Sequence, residues 1–230
     1  MNLANIHILI VRLSSIGDVL HATVVAHNLK LHEPHCYITW LASPPASELL
    51  RYNPDIDELI IWDRNAFEHA FKACSPHELK VSLYKLYHLL SPRSFDIVLD
   101  IHGLFLTGVI SLLSKAHKRI GIRGMHELNN LFMTELAPKV SNPHKVYQYA
   151  AVLHHLGINT LNPNYILGLP PSLDDFASHF FTEHGIDCNQ PILMVNPCST
   201  RINKNWPIKS FVQVLDKLPD NIQIIFCGAV

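Results

Sequence analysis

The five cysteines, Cys36, Cys74, Cys188, Cys198 and Cys227, are odd in number and widely spread, and none belongs to a Cys-x-x-Cys pair. That pattern argues against a disulfide framework or a zinc knuckle and points to a reducing compartment. An excess of either charge is lacking too: 18 basic and 19 acidic side chains leave a net charge of −1. The chain as a whole therefore offers no general attraction to nucleic acid or membrane, and any anion must be met locally. Long apolar runs are missing. The run at 6–13 has no preceding Lys or Arg and is broken by Arg12, and the run at 101–113 contains His102 and follows Asp96 and Asp100. Both are too short to cross a bilayer, so the expectation is a cytoplasmic chain without signal peptide or span. Glycine-rich phosphate signatures are absent as well. Gly17 stands alone where a dinucleotide fingerprint needs three glycines, and no Gly-x-x-x-x-Gly-Lys loop occurs, which disfavours a nucleotide-dependent oxidoreductase. Among the 16 histidines there is no His-Glu-x-x-His. They read as surface and half-buried imidazoles that raise the net charge below pH ~6.5, and no metal is expected.

With 48% apolar residues, the chain of 230 residues can bury a sizeable core in one or two domains. Apolar runs rich in Ile and Val alternate with helical periodicity, the signature of a parallel α/β sheet with crossover helices. Strands are expected at 6–13, 36–41, 58–62 and 95–101, with helices at 18–31, 45–52, 77–90 and 104–115. After "HKRIGI" the pattern weakens until a helix at 144–156. The stretch "NPNYILGLPPSLDD" has the composition of a linker, which divides the chain into domains at 1–165 and 166–230. Beyond it the pattern resumes with a helix at 173–184, a strand at 191–196, a helix at 207–218 and a strand at 222–227.

Ligands of open α/β sheets bind beyond the carboxyl ends of strands, where helix amino ends present free amides. Two polar loops lie there. In "RLSSIGD", Asp18 is either a helix cap worth about 1 kcal/mol or a group with chemistry to do. In "NPCSTRINKNWPIKSF", Ser199, Thr200, Arg201 and Lys204 stand before Pro207, which suits a first helical turn. That loop is either a diphosphate cradle or a solvated basic loop. Asp55-Ile56-Asp57 precedes an apolar strand and reads as a turn. "KAHKRIGIRG", with Lys115, Lys118, Arg119 and Arg123, reads as a solvated helix end or as a contact for a phosphorylated partner.

Three segments, "ILIVRLSSIGDVLHATVVAHNLK", "FDIVLDIHGLFLTGVISLLSKAHKRIGI" and "VNPCSTRINKNWPIKSFVQVLDKL", resemble lipopolysaccharide heptosyltransferases of glycosyltransferase family 9. The specific elements are Ser15-x-Gly17-Asp18-x-x-His21 and Lys204-x-Trp206-Pro207. The resemblance implies a GT-B fold, with an N-terminal Rossmann-like acceptor lobe and a C-terminal donor lobe that is only partly present. It implies inverting, metal-independent transfer of heptose from ADP-heptose to the lipopolysaccharide inner core, without cofactor or nucleic acid, at the cytosolic face of the inner membrane with peripheral contact. Asp18 takes the place of the general base; Lys204, with Ser199 and Thr200, meets the donor diphosphate; Ser15, Gly17, His21 and Arg119 lie on the acceptor side. A carboxylate takes the proton of the attacking hydroxyl, and a cation with amide donors stabilises the departing ADP. A helix amino end keeps such an Asp ionised but weakens it as a base, so it acts late in the transfer. Family members continue past "IIFCGAV" with a Glu and an Asp-Thr/Ser-Gly-x-x-His motif. The expectation is therefore a shortened enzyme or, alternatively, a non-catalytic acceptor-binding module.

Overall fold

The structure, a computed structural model, describes residues 3–125, 127–170, 172–199 and 202–228. Strand β1 (His7–Val11) shows how the sequence builds a doubly covered sheet. Ile8 and Ile10 enter one apolar cluster, while Leu9 and Val11 enter another. Successive side chains of a strand face opposite ways, so an unbroken apolar run needs cover on both faces. One cover comes from α1 (Ile16–His32) and, much later, from a helix at Lys145–His155. Between them run β2 (Tyr37–Ala42), β3 (Glu58–Ile61), α2 (Arg64–Lys72), α3 (Pro76–Leu90), β4 (Ile97–Asp100), α4 (Phe105–Leu113), β5 (Lys118–Ile122) and β6 (Glu135–Ala137). Helix α5 spans Lys145–His155. The opposite cluster takes Leu86 and Leu90 from α3 and Ile110 from α4.

The six strands are all parallel, in the order β3-β2-β1-β4-β5-β6. The order turns back between β1 and β4, and the crevice beyond the carboxyl ends of those two strands is where such a sheet receives a ligand. Registers Ile8↔Ile97 and Val11↔Asp100 place the residues after Val11 beside those after Asp100.

Several elements differ from the sequence expectation. The stretch expected to be helical at 45–52 is a short 3-10 turn, Ala46–Leu50. Helix α2 was not expected; it is strongly amphipathic and opens on Asp63, whose carboxylate accepts from the Ala66 amide at 3.1 Å. Strands β5 and β6 were missed because β5 opens on Lys118 and Arg119 and β6 is only 3 residues long, which leaves no apolar alternation to read.

Two compact units divide the chain, Met1–Leu169 and Pro170–Val230. Residues 166–169, grouped by composition with the second domain, lie in the first unit, where the Ile166 carbonyl accepts from Asn53 Nδ2 at 2.8 Å. The second unit contains α6 (Ser172–Glu183), β7 (Ile192–Val195), α7 (Ile208–Leu215) and β8 (Gln223–Phe226), with β7 and β8 paired in parallel. Among its described residues only Val195 is buried. A two-stranded parallel sheet with so little cover is marginal as an independent structure. No helix among the described residues is long and apolar enough to cross a membrane.

Candidate active site

The loop that leaves β1 turns immediately into α1, which puts Arg12, Ser15 and Asp18 around one point. Arg12 is 6% exposed, so its charge must be met inside the protein. Nη2 pairs with Asp18 Oδ2 at 2.7 Å and Nη1 donates to the Ile101 carbonyl at 3.1 Å. The guanidinium also lies 5.0 Å over the Tyr149 ring, a cation–π arrangement between the loop before α1 and α5. Tyr149 completes the triangle, since its hydroxyl donates to Asp18 Oδ1 at 2.7 Å. The Ser15 hydroxyl donates to Oδ2 at 3.0 Å.

Asp18 therefore spends its lone pairs on side chains; among the described hydrogen bonds, none brings a helix amide to it. Capping is not its role, although a carboxylate in the first turn still gains from the helix dipole. Burial pushes its pKa up, but the Tyr149 hydroxyl, the Arg12 guanidinium, Ser15 and Lys145 together hold it below the ordinary carboxylate value. The group stays ionised at neutral pH and is a weak base.

The end of β4 supplies the neighbouring wall. Asp100 is fully buried and accepts from the amides of His102 and Gly103, each at 3.0 Å, and from Asn129 Nδ2 at 2.7 Å. Burial raises its pKa against the pull of those bonds. The turn it fixes needs Gly103, whose φ of +78° is in the left-handed region. His102 Nδ1 then accepts from the Leu13 amide at 3.1 Å, which ties the two loops together. Burial, with the charges of Arg12 and Arg64 nearby, drops the His102 pKa to about 3, so it stays neutral. Arg64 donates to the Ser14 hydroxyl at 2.8 Å and pairs with Glu68 at 2.6 Å, bracing the same loop from α2.

A cavity of about 440 Å³ opens beside this cluster, lined by Arg12, Asp18, His102 and Tyr149 and also by Arg123, Lys139, Lys145 and Gln148. Arg123 follows β5, Lys139 follows β6, and Lys145 opens α5. Among the described residues no carboxylate pairs with Arg123, Lys139 or Lys145, so positive charge prevails in the lining and Asp18 is its lone acid. Such an excess of positive charge, carried on exposed side chains, attracts an anionic ligand, and a hydroxyl of that ligand reaching Asp18 finds a proton acceptor.

The residues singled out by sequence are distributed as follows. Ser15 and Asp18 are hydrogen-bonded at the cavity edge, and Gly17 lies between them with no atom within 4 Å of where a Cβ would stand. His21 is one turn further along α1, its ring 5.3 Å from that of His144 and 6.5 Å from that of Tyr165. Arg119 lies elsewhere. It is the second residue of β5, and its guanidinium donates to the Phe132 and Ala116 carbonyls, each at 2.8 Å, tying loops at the amino end of the sheet. Five strand residues separate that end from the carboxyl end by about 13 Å, so from the same basic stretch it is Arg123 that reaches the cavity. Ser199 and Lys204 are in the second unit, in the loop between β7 and α7, where the Ser199 amide donates to Asn205 Oδ1 at 2.8 Å. Thr200 and Arg201 lie outside the described residues. Asp55 and Asp57 precede β3. Asp55 accepts from or pairs with His27 at 3.0 Å, and Asp57 takes the Ile38 amide at 2.6 Å and pairs with Lys30 at 2.7 Å. The sequence missed Tyr149, Lys139, Lys145 and Gln148. The available signal was weak: Tyr149 sits on the apolar face of α5, and a buried tyrosine needs a partner for its hydroxyl.

Residues 83–230 match the family described as glycosyltransferase family 9 (heptosyltransferase). The chain belongs to glycosyltransferase family 9. This family 9 chain is 27% identical over 223 residues to lipopolysaccharide core heptosyltransferase OpsX of Haemophilus influenzae, covering 96% of the chain and 59% of that protein. It is 22% identical over 206 residues to lipopolysaccharide heptosyltransferase 3 of Escherichia coli, covering 88% of the chain and 57% of that protein. The crystal structure of a family 9 glycosyl transferase from Veillonella parvula superposes with a TM-score of 0.85 at 25% identity, over all of this chain and 64% of that one. The heptosyltransferase WaaC of E. coli with ADP-2-deoxy-2-fluoro heptose superposes with a TM-score of 0.72 at 20% identity, over 98% of this chain and 70% of that one, a likeness of fold. The α/β, GT-B type fold of the family 9 chain agrees with these neighbours. The family 9 chain spans less than two thirds of the length of the curated relatives it matches.

Proposed function

We propose that this chain is a lipopolysaccharide heptosyltransferase of the inverting, metal-independent kind, and that the cavity beside Asp18 receives the acceptor. The observation that carries the reading is the pairing of one ionised carboxylate, held by Arg12, Tyr149 and Ser15, with a wall of Arg123, Lys139 and Lys145. The acceptor is an inner-core sugar whose anionic groups face those cations while a hydroxyl faces Asp18. The donor is ADP-heptose. The hydroxyl oxygen attacks the anomeric carbon, the bond from that carbon to ADP breaks with its electron pair going to ADP, and Asp18 takes the hydroxyl proton. A carboxylate with so many donors is a weak base, so proton transfer comes late, when the attacking oxygen is already acidified by bond formation. Lys204, with Ser199 and Thr200, meets the diphosphate as charge develops on it. An acceptor carried on a lipid brings peripheral contact with the cytosolic face of the inner membrane.

Incubating the chain with ADP-heptose and a deacylated inner-core acceptor tests the proposal, because the product gains the mass of one heptose. A second reading, a non-catalytic acceptor-binding module, draws on the fact that every lining residue of the cavity belongs to the first unit. Retained acceptor binding with no extended product decides for that module.

A further inference from the structure

Helices α3 and α4 leave between them an open groove of about 620 Å³ on the face of the first unit away from α1 and α5. Leu79, Leu83, Val109 and Leu113 floor it. Tyr84, 63% exposed, and Tyr87, 39% exposed, stand along its rim. The lining is mostly apolar, with two exposed tyrosines grouped beside it, which makes the groove a candidate place of contact. Its charges have one sign. Lys80 lines the groove and Lys115 Nζ lies 5.7 Å over the Tyr87 ring, while among the described residues no acid lines it. Glu78, the acid of this helix, lines a separate hollow with Lys85 instead.

We infer that this groove is a docking surface for an anionic phospholipid bilayer. Charge decides the occupant in a chain whose net charge is −1: the local cations sit at the edge of an apolar floor, where lysines reach phosphates while their stems lie on carbon. Tyrosine, with an apolar ring and a polar tip, belongs at a membrane interface. Leu112, half exposed beside Leu113, extends the apolar strip along α4. The amino end of α4 follows Leu104, which lines the Asp18 cavity, so a bilayer on this groove lies one helix of about 13 Å from the candidate site. The inference names the surface for the peripheral contact proposed above. Its test needs no catalysis, so its failure is distinct from failure of the transferase reading.

The full chain is floated with vesicles of phosphatidylglycerol and phosphatidylcholine, and with vesicles of phosphatidylcholine alone. The expected partition favours the anionic vesicles by at least about tenfold at ~0.1 M salt and falls at high salt. Lys80→Glu with Lys115→Glu lowers it by at least about 25-fold, and Tyr84→Ser with Tyr87→Ser also lowers it. Lys85→Glu, on the other side of α3, has a much smaller effect than Lys80→Glu alone, which makes the same charge change. These side chains are exposed, and a circular dichroism melt confirms that each variant folds. Equal partition onto both vesicles overturns the inference, as does a loss with Lys85→Glu matching that of Lys80→Glu alone. A dimer in sedimentation equilibrium that the Tyr84/Tyr87 variant abolishes also overturns it, because the groove then belongs to a second copy of the chain.

Discussion

Removing one oxygen, by Tyr149→Phe, separates the restraint on Asp18 from everything else the ring does. The phenyl ring keeps its place under Arg12 and in the core, where Tyr149 is 3% exposed. What is lost is the 2.7 Å bond from the hydroxyl to Asp18 Oδ1. A hydrogen bond to a charged group contributes about 1.5–3 kcal/mol. The Asp18 side chain is 32% exposed, so water replaces part of that bond and the expected loss is about 1 kcal/mol. The sign with pH follows from the depressed pKa. A carboxylate held below its ordinary value of 3.8 adds stability above that value and loses it as pH falls through the folded pKa. The gap between wild type and variant is therefore full at pH 7 and shrinks as pH drops below 3.8. Urea unfolding followed by the fluorescence of Trp40 and Trp62, both buried in the first unit, measures it. In a transfer assay, the variant carboxylate is a stronger base that protonates more easily, so the acid limb of kcat/KM moves to higher pH. A gap that is the same at pH 7 and at low pH, or additivity of Tyr149→Phe with Asp18→Asn in a double-mutant cycle, refutes the coupling.

The two arginines of the basic stretch should separate cleanly. Arg123→Gln weakens binding of an anionic acceptor and flattens its salt dependence in calorimetry, with stability unchanged within about 0.5 kcal/mol. Arg119→Gln leaves that binding alone and costs about 1–2 kcal/mol, since it releases the Phe132 and Ala116 carbonyls. Gly17→Ala meets no atom within 4 Å and adds helix propensity, so thermal melts should show equal or higher stability, by up to roughly 1 kcal/mol. The same methyl obstructs a ligand lying against the first turn of α1, and acceptor affinity should then fall about tenfold, or ~1.4 kcal/mol. In hydrogen exchange, amides of β1 and β4 should be the slowest in the chain, while those of β7 and β8 exchange through low-cost local opening because only Val195 there is buried.

The sheet was legible because its central strands are buried on both faces and therefore spell apolar runs, as Ile8 to Val11 do. Strand β5 was not, since an edgeward strand opening on Lys118 and Arg119 pays no apolar signal, and losing it hid Arg123 at the strand's carboxyl end. Asp18 stood out because a polar turn between two apolar segments is visible in one dimension. The residues around it arrive from far away in the chain, Tyr149, which bonds to it, from α5 and His102, which ties down its loop at Leu13, from the end of β4. Neither carries a local pattern that distinguishes it from an ordinary core aromatic or loop histidine. The role of Asp18 as a cap was the natural local reading, and it gave way because its oxygens take Arg12, Tyr149 and Ser15, while among the described hydrogen bonds none comes to it from a helix amide.

The reading of the Asp18 cavity is tested most directly by single-turnover transfer of heptose from ADP-heptose to the inner-core acceptor, with wild type and Asp18→Asn compared at saturating acceptor. A base in place at the attacking hydroxyl makes the Asn variant slower on the order of 10³-fold, with acceptor affinity measured by calorimetry nearly unchanged. Equal rates in the two proteins, at any level, contradict it.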